Sequence, residues 1–290
     1  MPEQSLSVYD LTPGKVVAKR YEVVCAHRQG GLSAAFEVRD LEHEDRCEMQ
    51  LFPAALFDAT AQAQEFSSSW SPWLRVRSPS VLRVREILSL SASTLVLITD
   101  FPEGDALRAR LNARKRLPVE EAVRLGVQVL EGLEEVHAHG LVHGDIKPYT
   151  IHVNGEGAAV RPVLVDGGIT PGLWTAKHLG EKTALIGTPY YAPVEQFGGD
   201  SPDVQSDVYN VAAVLFECLA GTLPWRGVSF LEVFQAKLDK RPASLRRTAP
   251  EVRVDDGLDE AIAIGCLAER TRRYATAREF RDRLAAFLPE

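Results

Sequence analysis

The spacing of apolar and polar residues changes about one third of the way along the chain. Between Tyr21 and Thr99, short apolar runs are separated by glycine and charged residues, a pattern typical of antiparallel strands. Five runs predict strands, at residues 21–24, 35–38, 47–51, 81–84 and 95–98. A helical segment interrupts them at about residues 61–75 and ends before Pro79. This region therefore predicts a small five-stranded antiparallel sheet with one helix.

After Asp105 the apolar residues recur at helical spacing instead. Residues 118–139 predict an amphipathic helix, and residues 208–219, apolar on nearly every side, predict a buried central helix. Three further helices are predicted at residues 229–239, 257–268 and 276–288. The fold class is therefore α+β, with a small antiparallel lobe, a larger helical lobe and a cleft expected between them. The expected division is an N-terminal extension at residues 1–20, a first lobe at 21–104 and a second lobe at 105–290.

Composition and charge exclude several classes of protein. The chain has 290 residues and a formal net charge of −7 without a basic block, which argues against nucleic acid as the main partner. No apolar run approaches the roughly 18 residues that a membrane helix needs, and the first residues do not resemble a signal peptide. The four cysteines lie far apart without ligand spacing. We therefore expect a cytoplasmic protein with reduced thiols and no membrane segment in this chain.

A series of short motifs follows the change of pattern. They are LVHGDIKP at residues 141–148, LVDGG at 164–168, GTPYY at 187–191, SDVY at 206–209 and GTLPW at 221–225. In this order, and with the two predicted lobes around them, they resemble the motifs of the bacterial eukaryotic-like (Hanks-type) Ser/Thr protein kinases. The resemblance covers about residues 20–290 and implies the bilobal protein-kinase fold.

The resemblance implies roles for three residues of the second lobe. Asp145 matches the aspartate that orients the hydroxyl nucleophile, Lys147 the lysine that screens the transferring phosphate, and Asp166 the aspartate that holds magnesium. This chemistry depends on positioning and on neutralising the charge of the phosphoryl group in flight. Without the motifs around them, the two aspartates would be ordinary loop carboxylates.

The nucleotide-binding positions of the family are mostly changed. Of the three glycines of the phosphate-binding turn, the middle one remains as Gly30. The position of the phosphate-gripping lysine on the third strand holds Gln50, and the glutamate that pairs with this lysine falls on Ser69. The second magnesium ligand falls on Thr150. The resemblance therefore implies a degenerate nucleotide site.

Further changes alter charge and packing around that site. No lysine occurs between residues 21 and 114, so an arginine such as Arg28 or Arg39 is the available substitute for the missing lysine. The aromatic residue that follows the metal-binding aspartate is Gly167. The arginine that precedes the catalytic aspartate is Gly144, which removes the usual docking site for a phosphorylated activation segment.

The adenine slot implied by the resemblance is obstructed. Glu48 replaces the alanine of its roof, and His152 forms its floor. The linker that contains Asp100 places Pro102 where a backbone N–H normally donates to adenine. A buried carboxylate without a partner is costly, so Glu48 is the main barrier to a purine. We hypothesise that Glu48 and His152 pair across the empty slot; the alternative is that both lie in solvent at its mouth.

Other matched positions are expected to be structural. Glu195 resembles the glutamate that pairs with a late arginine, here Arg273, and Asp207 resembles the aspartate that hydrogen-bonds the backbone of the catalytic loop. Trp70 and Trp73 on the first-lobe helix are expected to be core or, if exposed, a partner surface. These positions predict a folded, rigid second lobe.

The departures favour a pseudokinase, a kinase fold kept for signalling or scaffolding, with little or no phosphotransfer and weak or absent ATP binding. No cofactor is then expected, and the expected partner is a protein such as another kinase or a signalling protein. The alternative is an atypical, low-activity Ser/Thr protein kinase that uses Mg-ATP with Asp145, Lys147 and Asp166. A third interpretation, transfer of another group on the same fold, has no residue that points to it.

Overall fold

The protein consists of two compact units. A computed structural model describes residues 6–29, 33–179, 190–225, 227, 229–238 and 243–289. The first unit contains residues up to 77 together with 82–102 and 175–177, and the second contains 78–81, 103–174 and the residues from 178 onward. The first is built mainly from strands and the second mainly from helices.

The described segments form the following elements. The strands are β1 (Val16–Val17), β2 (Tyr21–Gln29), β3 (Ala34–Asp40), β4 (Arg46–Phe52), β5 (Val84–Ser89), β6 (Leu95–Asp100), β7 (Asp105–Ala106), β8 (Ile151–Asn154) and β9 (Arg161–Leu164). The helices are α1 (Thr60–Ser68), α2 (Leu107–Arg114), α3 (Val119–Ala138), α4 (Ile169–Ala176), α5 (Val194–Phe197), α6 (Val204–Ala220), α7 (Phe230–Lys237), α8 (Leu245–Thr248), α9 (Asp256–Gly265) and α10 (Ala277–Ala285). None of these helices is both long enough and apolar enough to cross a bilayer.

The sheet of the first unit has six antiparallel strands rather than the five predicted. Their order is β1-β2-β3-β4-β6-β5. The additional strand, β1, pairs Val16 with Glu22 and Val17 with Tyr21. Two residues are too short a run to produce an alternating pattern, so no strand was predicted there. The predicted strand at 81–84 is also displaced, because β5 begins at Val84 and Val81 bridges to Leu164 within the second unit.

One face of this sheet packs in an apolar core. Val38 and Met49, on the adjacent strands β3 and β4, are completely buried there. Leu11 and Val17 belong to the same core, so part of the segment set apart as an extension packs against the sheet. Because side chains alternate across a strand, the neighbours of Met49 on β4 face the opposite side. That opposite face therefore carries Glu48 and Gln50, the two β4 positions that the sequence assigns to nucleotide contact.

The helix of the first unit is shorter than predicted. α1 ends at Ser68, and a separate 3-10 turn follows at Trp73–Arg75. Trp70 and Trp73 are only 1% and 4% exposed, and their rings lie 5.9 Å apart. Trp70 also meets the Phe66 ring edge-on at 6.0 Å. These tryptophans are therefore core residues and do not form a partner surface.

The second unit is organised around α6. Most of this helix is buried, as predicted, and it starts at Val204 because the Asp203 side chain accepts a hydrogen bond from the backbone N–H of Ser206. It ends at Gly221, which adopts the left-handed conformation with φ of 74°. A three-stranded sheet, β7-β8-β9, completes this unit. Helices α2, α4, α5 and α8 were not predicted; each is eight residues or fewer, shorter than the window of about 11 residues over which helical periodicity is read.

Candidate active site

Asp207 holds the backbone of the loop that contains Asp145. Its carboxylate is fully buried on α6 and accepts hydrogen bonds from the backbone N–H groups of His143 at 2.9 Å and Gly144 at 2.8 Å. The Nε2 atom of His137 lies 2.9 Å from the same carboxylate. A buried carboxylate that accepts several N–H groups fixes them in one arrangement. The described geometry therefore positions the start of the catalytic loop from α6.

His143 connects this loop to the segment that carries Asp166. Its Nε2 atom lies 3.0 Å from the carbonyl oxygen of Val165, and its own carbonyl accepts from the N–H of Gly168 at 3.0 Å. The ring is completely buried, and this burial lowers the pKa of His143. A neutral ring that donates from Nε2 satisfies the Val165 carbonyl. Asp166 itself has φ of 64°, in the left-handed region.

Asp145 and Lys147 contact each other directly. The Nζ atom of Lys147 donates to Oδ2 of Asp145 at 2.6 Å. Burial raises the pKa of Asp145 above its ordinary value, and the neighbouring ammonium opposes that effect. The pair thus places a carboxylate and a cation together, as an aspartate that orients a hydroxyl and a lysine that screens phosphate would be.

The Thr150 side chain makes hydrogen bonds to the backbone of the catalytic loop. Its hydroxyl lies 2.8 Å from the carbonyl oxygen of Asp145 and 3.1 Å from that of Lys147, and it accepts from the N–H of Lys147 at 3.0 Å. The hydroxyl is therefore engaged with backbone groups of its own loop.

Gly144 is required by the backbone of the same loop. It has φ of 81°, and a Cβ atom added there would lie 2.5 Å from Cγ and 2.6 Å from Cδ of Pro171. A side chain would therefore be strained and would also collide with the proline ring. The missing arginine is thus accompanied by packing that leaves no room for it.

In the first unit, Glu48 is bound by an arginine and a histidine of another strand of the sheet. Its carboxylate is completely buried. Arg28 donates to it from Nη2 at 2.5 Å and from Nε at 2.9 Å, and the Nδ1 atom of His27 lies 2.7 Å from Oε2. Both partners are on β2. A pairing with His152 is therefore not needed to compensate the Glu48 charge, and sequence reasoning missed both partners on β2.

The positions of the expected lysine–glutamate pair have neutral side chains. Gln50 is buried on β4, opposite Ala35 on β3 and Leu97 on β6. Ser69 is the residue that caps α1, and its hydroxyl donates to the carbonyl of Phe66 at 2.7 Å. Neither side chain carries a charge, so these two positions cannot form the ion pair of active kinases.

The linker after β6 is held by cationic and aromatic contacts. Arg85 donates to Asp100 at 2.6 Å from Nε. The Phe101 ring lies 4.5 Å from the His27 ring and 3.4 Å from the Arg46 guanidinium carbon. Pro102 is buried. Phe101, which sequence reasoning did not single out, therefore joins the linker to the strand that presents the Glu48 partners.

The remaining predicted site residues have separate positions. His152 is buried on β8, opposite Ala106 on β7 and Val163 on β9. Gly30 lies outside the described residues. Acidic clusters with metal-ligand geometry occur in the described chain near Asp40, whose carboxylate is bound by Arg20 at 2.6 and 2.8 Å. A guanidinium in that place opposes a metal cation.

Glu195 and Arg273 form a buried ion pair in the second unit. Nη1 and Nη2 of Arg273 donate to the two carboxylate oxygens at 2.6 and 2.8 Å, and Arg273 also donates to the carbonyl of Ala268 at 2.9 Å. Burial by itself would raise the pKa of Glu195, but the hydrogen bonds and charge of Arg273 outweigh it and lower the pKa. The pair joins α5 to the segment that precedes α10.

A second buried ionic cluster was not found from the sequence. Arg108 donates to both oxygens of Glu217 at 2.9 and 3.0 Å, and to the hydroxyl of Tyr191 at 2.5 Å. The Tyr191 hydroxyl donates to Glu217 at 2.5 Å. Burial, together with Glu217, raises the pKa of Tyr191. No spacing rule joins these three residues, so the sequence carried no signal for them.

Comparison with known proteins identifies the family. A family model described as protein kinase domain matches residues 30–280. Serine/threonine-protein kinase PkaB of Streptomyces coelicolor is 32% identical over 220 residues, 73% of this chain and 50% of that protein. A probable serine/threonine-protein kinase of Clostridium perfringens is 23% identical over 269 residues, 92% of this chain and 38% of that protein. The chain thus spans half or less of the length of these relatives.

A solved structure agrees with these matches. The crystal structure of the Mycobacterium tuberculosis PknI kinase domain superposes with a TM-score of 0.73 and 20% identity, over 95% of this chain and 99% of that one. At this identity the likeness shows the fold, and it confirms the α+β kinase-like fold expected from the sequence. The family uses Mg-ATP when it is active. The chain belongs to the protein kinase domain family, among relatives that are bacterial Hanks-type Ser/Thr kinases.

Proposed function

We propose that this chain is a pseudokinase, a kinase fold that serves signalling or scaffolding with little or no phosphotransfer and weak or absent ATP binding. The observation that carries the proposal is the buried carboxylate of Glu48 and its hydrogen bonds from Arg28 and His27. In active relatives this place is expected to hold a small apolar residue against adenine. A purine laid against Glu48 would meet a charged group in place of an apolar surface.

The same contacts argue against an arginine acting in place of the missing lysine. If Arg28 turned to bind phosphate, Glu48 would lose its bidentate partner while still buried, which typically costs about 3–5 kcal/mol. The other candidate, Arg39, donates to Glu22 at 2.5 and 3.1 Å, and its side chain is 60% exposed. Each substitute cation is thus bound to a carboxylate of the first unit.

The protein groups available to magnesium are fewer than the family's usual set. Asp166 supplies one carboxylate, and the second ligand position is Thr150, whose hydroxyl bonds backbone groups of the catalytic loop. Mg²⁺ bound through phosphates normally takes one or two carboxylates as well. Asp166 alone meets the lower end of this range, so bound magnesium would depend on the nucleotide phosphates. Because Glu48 opposes a bound nucleotide, we propose no resident cofactor, and we assign neither Gln50 nor Asp100 a nucleotide-binding role.

A second candidate is an atypical, low-activity Ser/Thr kinase. The contact of 2.6 Å between Lys147 and Asp145, with the loop held by Asp207, favours it. With substrate bound, Asp145 would orient the attacking hydroxyl and accept its proton, while Lys147 would stabilise charge on the transferred group. Loss of preorganised groups elsewhere would lower the rate by about 10²–10³ for each group.

Direct nucleotide titration distinguishes the two functions. We expect no ATP binding by calorimetry up to about 1 mM nucleotide, the upper end of usual substrate affinities, with or without Mg²⁺. A Glu48→Ala, Gln50→Lys double variant should gain ATP affinity by about tenfold or more, because it removes the carboxylate and restores the cation. Glu22→Ala with Gln50→Lys is the matched control, since it removes a partly exposed carboxylate of the same sheet.

Activity of the unaltered chain would decide for the alternative. Phosphate transfer that disappears in an Asp145→Asn variant, together with saturable Mg-ATP binding, would contradict the pseudokinase proposal. Under the proposal itself, the partner is a protein, for example another kinase or signalling protein, and it binds equally to the Asp145→Asn variant and to the unaltered chain.

A further inference from the structure

Helix α4 (Ile169–Ala176) begins three residues after Asp166. The turn that leads into it uses two residues in the left-handed region, Asp166 with φ of 64° and Gly168 with φ of 81°. The N–H of Gly168 donates to the carbonyl of His143 at 3.0 Å, and the N–H of Gly172 donates to the carbonyl of Gly168 at 2.9 Å. The start of the helix is therefore hydrogen-bonded to the backbone of the catalytic loop.

Most of α4 is buried. Ile169, Leu173 and Ala176 recur at helical spacing and are 6%, 0% and 0% exposed. Trp174 is 5% exposed, so a second side of the helix is covered as well. A helix of eight residues is not stable alone in water, because nucleation is costly and few hydrogen bonds follow it. The helical form of this segment therefore depends on its packing, and loss of that packing would melt it.

Pro171, in the first turn of α4, packs on the catalytic loop at the residue before Asp145. A Cβ atom added to Gly144 would lie 2.5 Å from Cγ of Pro171, so the proline ring can approach this closely only because residue 144 is glycine. Proline is tolerated in this turn because the first N–H groups of a helix have no partner within it. The position that the resemblance assigns to a phosphate-docking arginine is thus used here for close packing.

Lys177, the residue that follows α4, holds the other end of the helix. Residues 175–177 belong to the first unit. Within that unit, the Nζ atom of Lys177 donates to the carbonyl of Leu56 at 2.6 Å and lies 3.3 Å from Oδ2 of Asp58. A hydrogen bond donated by an ammonium group is roughly twice as strong as a neutral one. The helix is therefore held by identifiable contacts at both of its ends.

We propose that α4 is a conformational switch, a short helix that undocks and melts as one cooperative element while the long helices of the second unit stay folded. Docked, it holds Pro171 against Gly144 and so restrains the backbone next to Asp145. Undocked, its eight residues can extend over about 26 Å instead of the 12 Å or so of the helix, and Leu173 and Trp174 become exposed. Docking of α4 and the conformation of the catalytic loop are therefore coupled, and the coupling is reciprocal.

Amide hydrogen exchange of the unaltered chain and of two leucine variants tests the switch, because it measures opening segment by segment. In the unaltered chain, the α4 amides should be at least about tenfold less protected than those of α6. Leu173→Ala should lower the protection of α4 by about 30-fold or more, because it leaves a cavity under the helix, and should leave α6 unchanged. The matched control is Leu133→Ala, an equally buried leucine of α3, which should leave the protection of α4 unchanged.

The outcomes separate a switch from an ordinary part of the core. Equal loss of α4 protection in the two leucine variants, or equal protection of α4 and α6 in the unaltered chain, would overturn the proposal. If Leu173→Ala does not fold, Lys177→Met decides: it keeps the side-chain length, removes the ammonium and should lower α4 protection by about tenfold, and unchanged protection would overturn the proposal. The measurement uses no nucleotide, so its result is independent of the titration that tests the proposed function.

Discussion

The face of β4 in the first unit and the catalytic loop in the second unit have diverged in different ways. On β4, Glu48 and Gln50 lie at the positions that the sequence assigns to nucleotide contact, and Glu48 binds Arg28 and His27. In the catalytic loop, His143 and Asp207 still make buried hydrogen bonds that hold the backbone. The first region thus pairs its buried carboxylate with side chains of another strand, whereas the second uses its buried carboxylate to hold backbone groups.

The difference follows from what each group does for the folded chain. Asp207 satisfies two buried backbone N–H groups, and its loss would leave them without acceptors, at about 1–3 kcal/mol each. A lysine whose partner is bound nucleotide contributes little to the unliganded fold, so Gln50 can replace it without an equivalent penalty. Groups that build the fold therefore persist after ligand-binding groups have changed.

The largest expected effect is in the retained ion pair of the second unit. Arg273→Ala should lower the free energy of unfolding by about 3–5 kcal/mol, because it leaves Glu195 buried without its bidentate partner. Chemical denaturation measures the free energy of unfolding of the variant and of the unaltered chain. Arg272→Ala is the control, since that side chain is 65% exposed and should have little effect. Equal stability of the two variants would show that the pair does not anchor this unit.

The rearranged face of β4 provides the next test. Arg28→Met should destabilise the first unit by about 3 kcal/mol, because Glu48 keeps only His27 as a described partner. Adding Glu48→Leu should recover most of this loss, since replacing both members of a buried pair by apolar residues is close to neutral. The rate of amide hydrogen exchange in β2 and β4 measures the stability of the first unit directly.

Arg39→Ala is the control for Arg28→Met, because its partner Glu22 is partly exposed and the pair is worth little. If the Arg28→Met, Glu48→Leu double variant is as unstable as Arg28→Met alone, the buried Glu48 charge is not the cause of the instability, and the proposed ion pair is contradicted.

Gly144 tests how far the catalytic loop itself has been adapted. Gly144→Ala should cost about 2 kcal/mol or more, from a left-handed backbone together with the contact with Pro171. Gly140→Ala is the control. It measures the stability cost of placing alanine in a left-handed backbone alone, because Gly140 has φ of 69° but no atom within 4 Å of an added Cβ. If the two variants lose the same stability in urea, the proline does not restrict this position.

The smallest expected effect is the pH dependence of the Glu195–Arg273 pair. The folded pKa of Glu195 is lowered from its ordinary value of 4.5, so its contribution to stability is complete above that value and is lost as the pH falls through the folded pKa. The stability difference between the unaltered chain and Arg273→Ala should therefore narrow in acid. Denaturation at several pH values measures this stability difference. A difference that stays constant with pH would contradict a lowered pKa of Glu195.

Much of the fold followed from local pattern. The long helices α3 and α6 and the central strands β3, β4 and β6 were predicted because their apolar residues repeat with a clear period. Strand β1 and the short helices were not, because they are too short for a period and depend on pairing with distant residues. For Trp70 and Trp73, the sequence left open whether they belong to the core or to an exposed surface, since burial depends on how the whole unit packs.

The candidate site was predicted as a set of positions but not as a set of contacts. The motif order marked Asp145, Lys147 and Asp166, and counting along β4 marked Glu48 and Gln50. The partners of Glu48 were missed because β2 and β4 are not adjacent strands of the sheet, and no sequence spacing relates them.

The amino-acid sequence alone determined the family and the order of the long helices and central strands, because these depend on periodicity and on residues close together in the chain. The tertiary structure decided how the remaining charges are paired. It brought Arg28 and His27 to Glu48, and Arg108 to Glu217. The reason is physical: a buried charge takes whichever partner the packing brings within hydrogen-bond distance, and that partner can lie anywhere in the sequence.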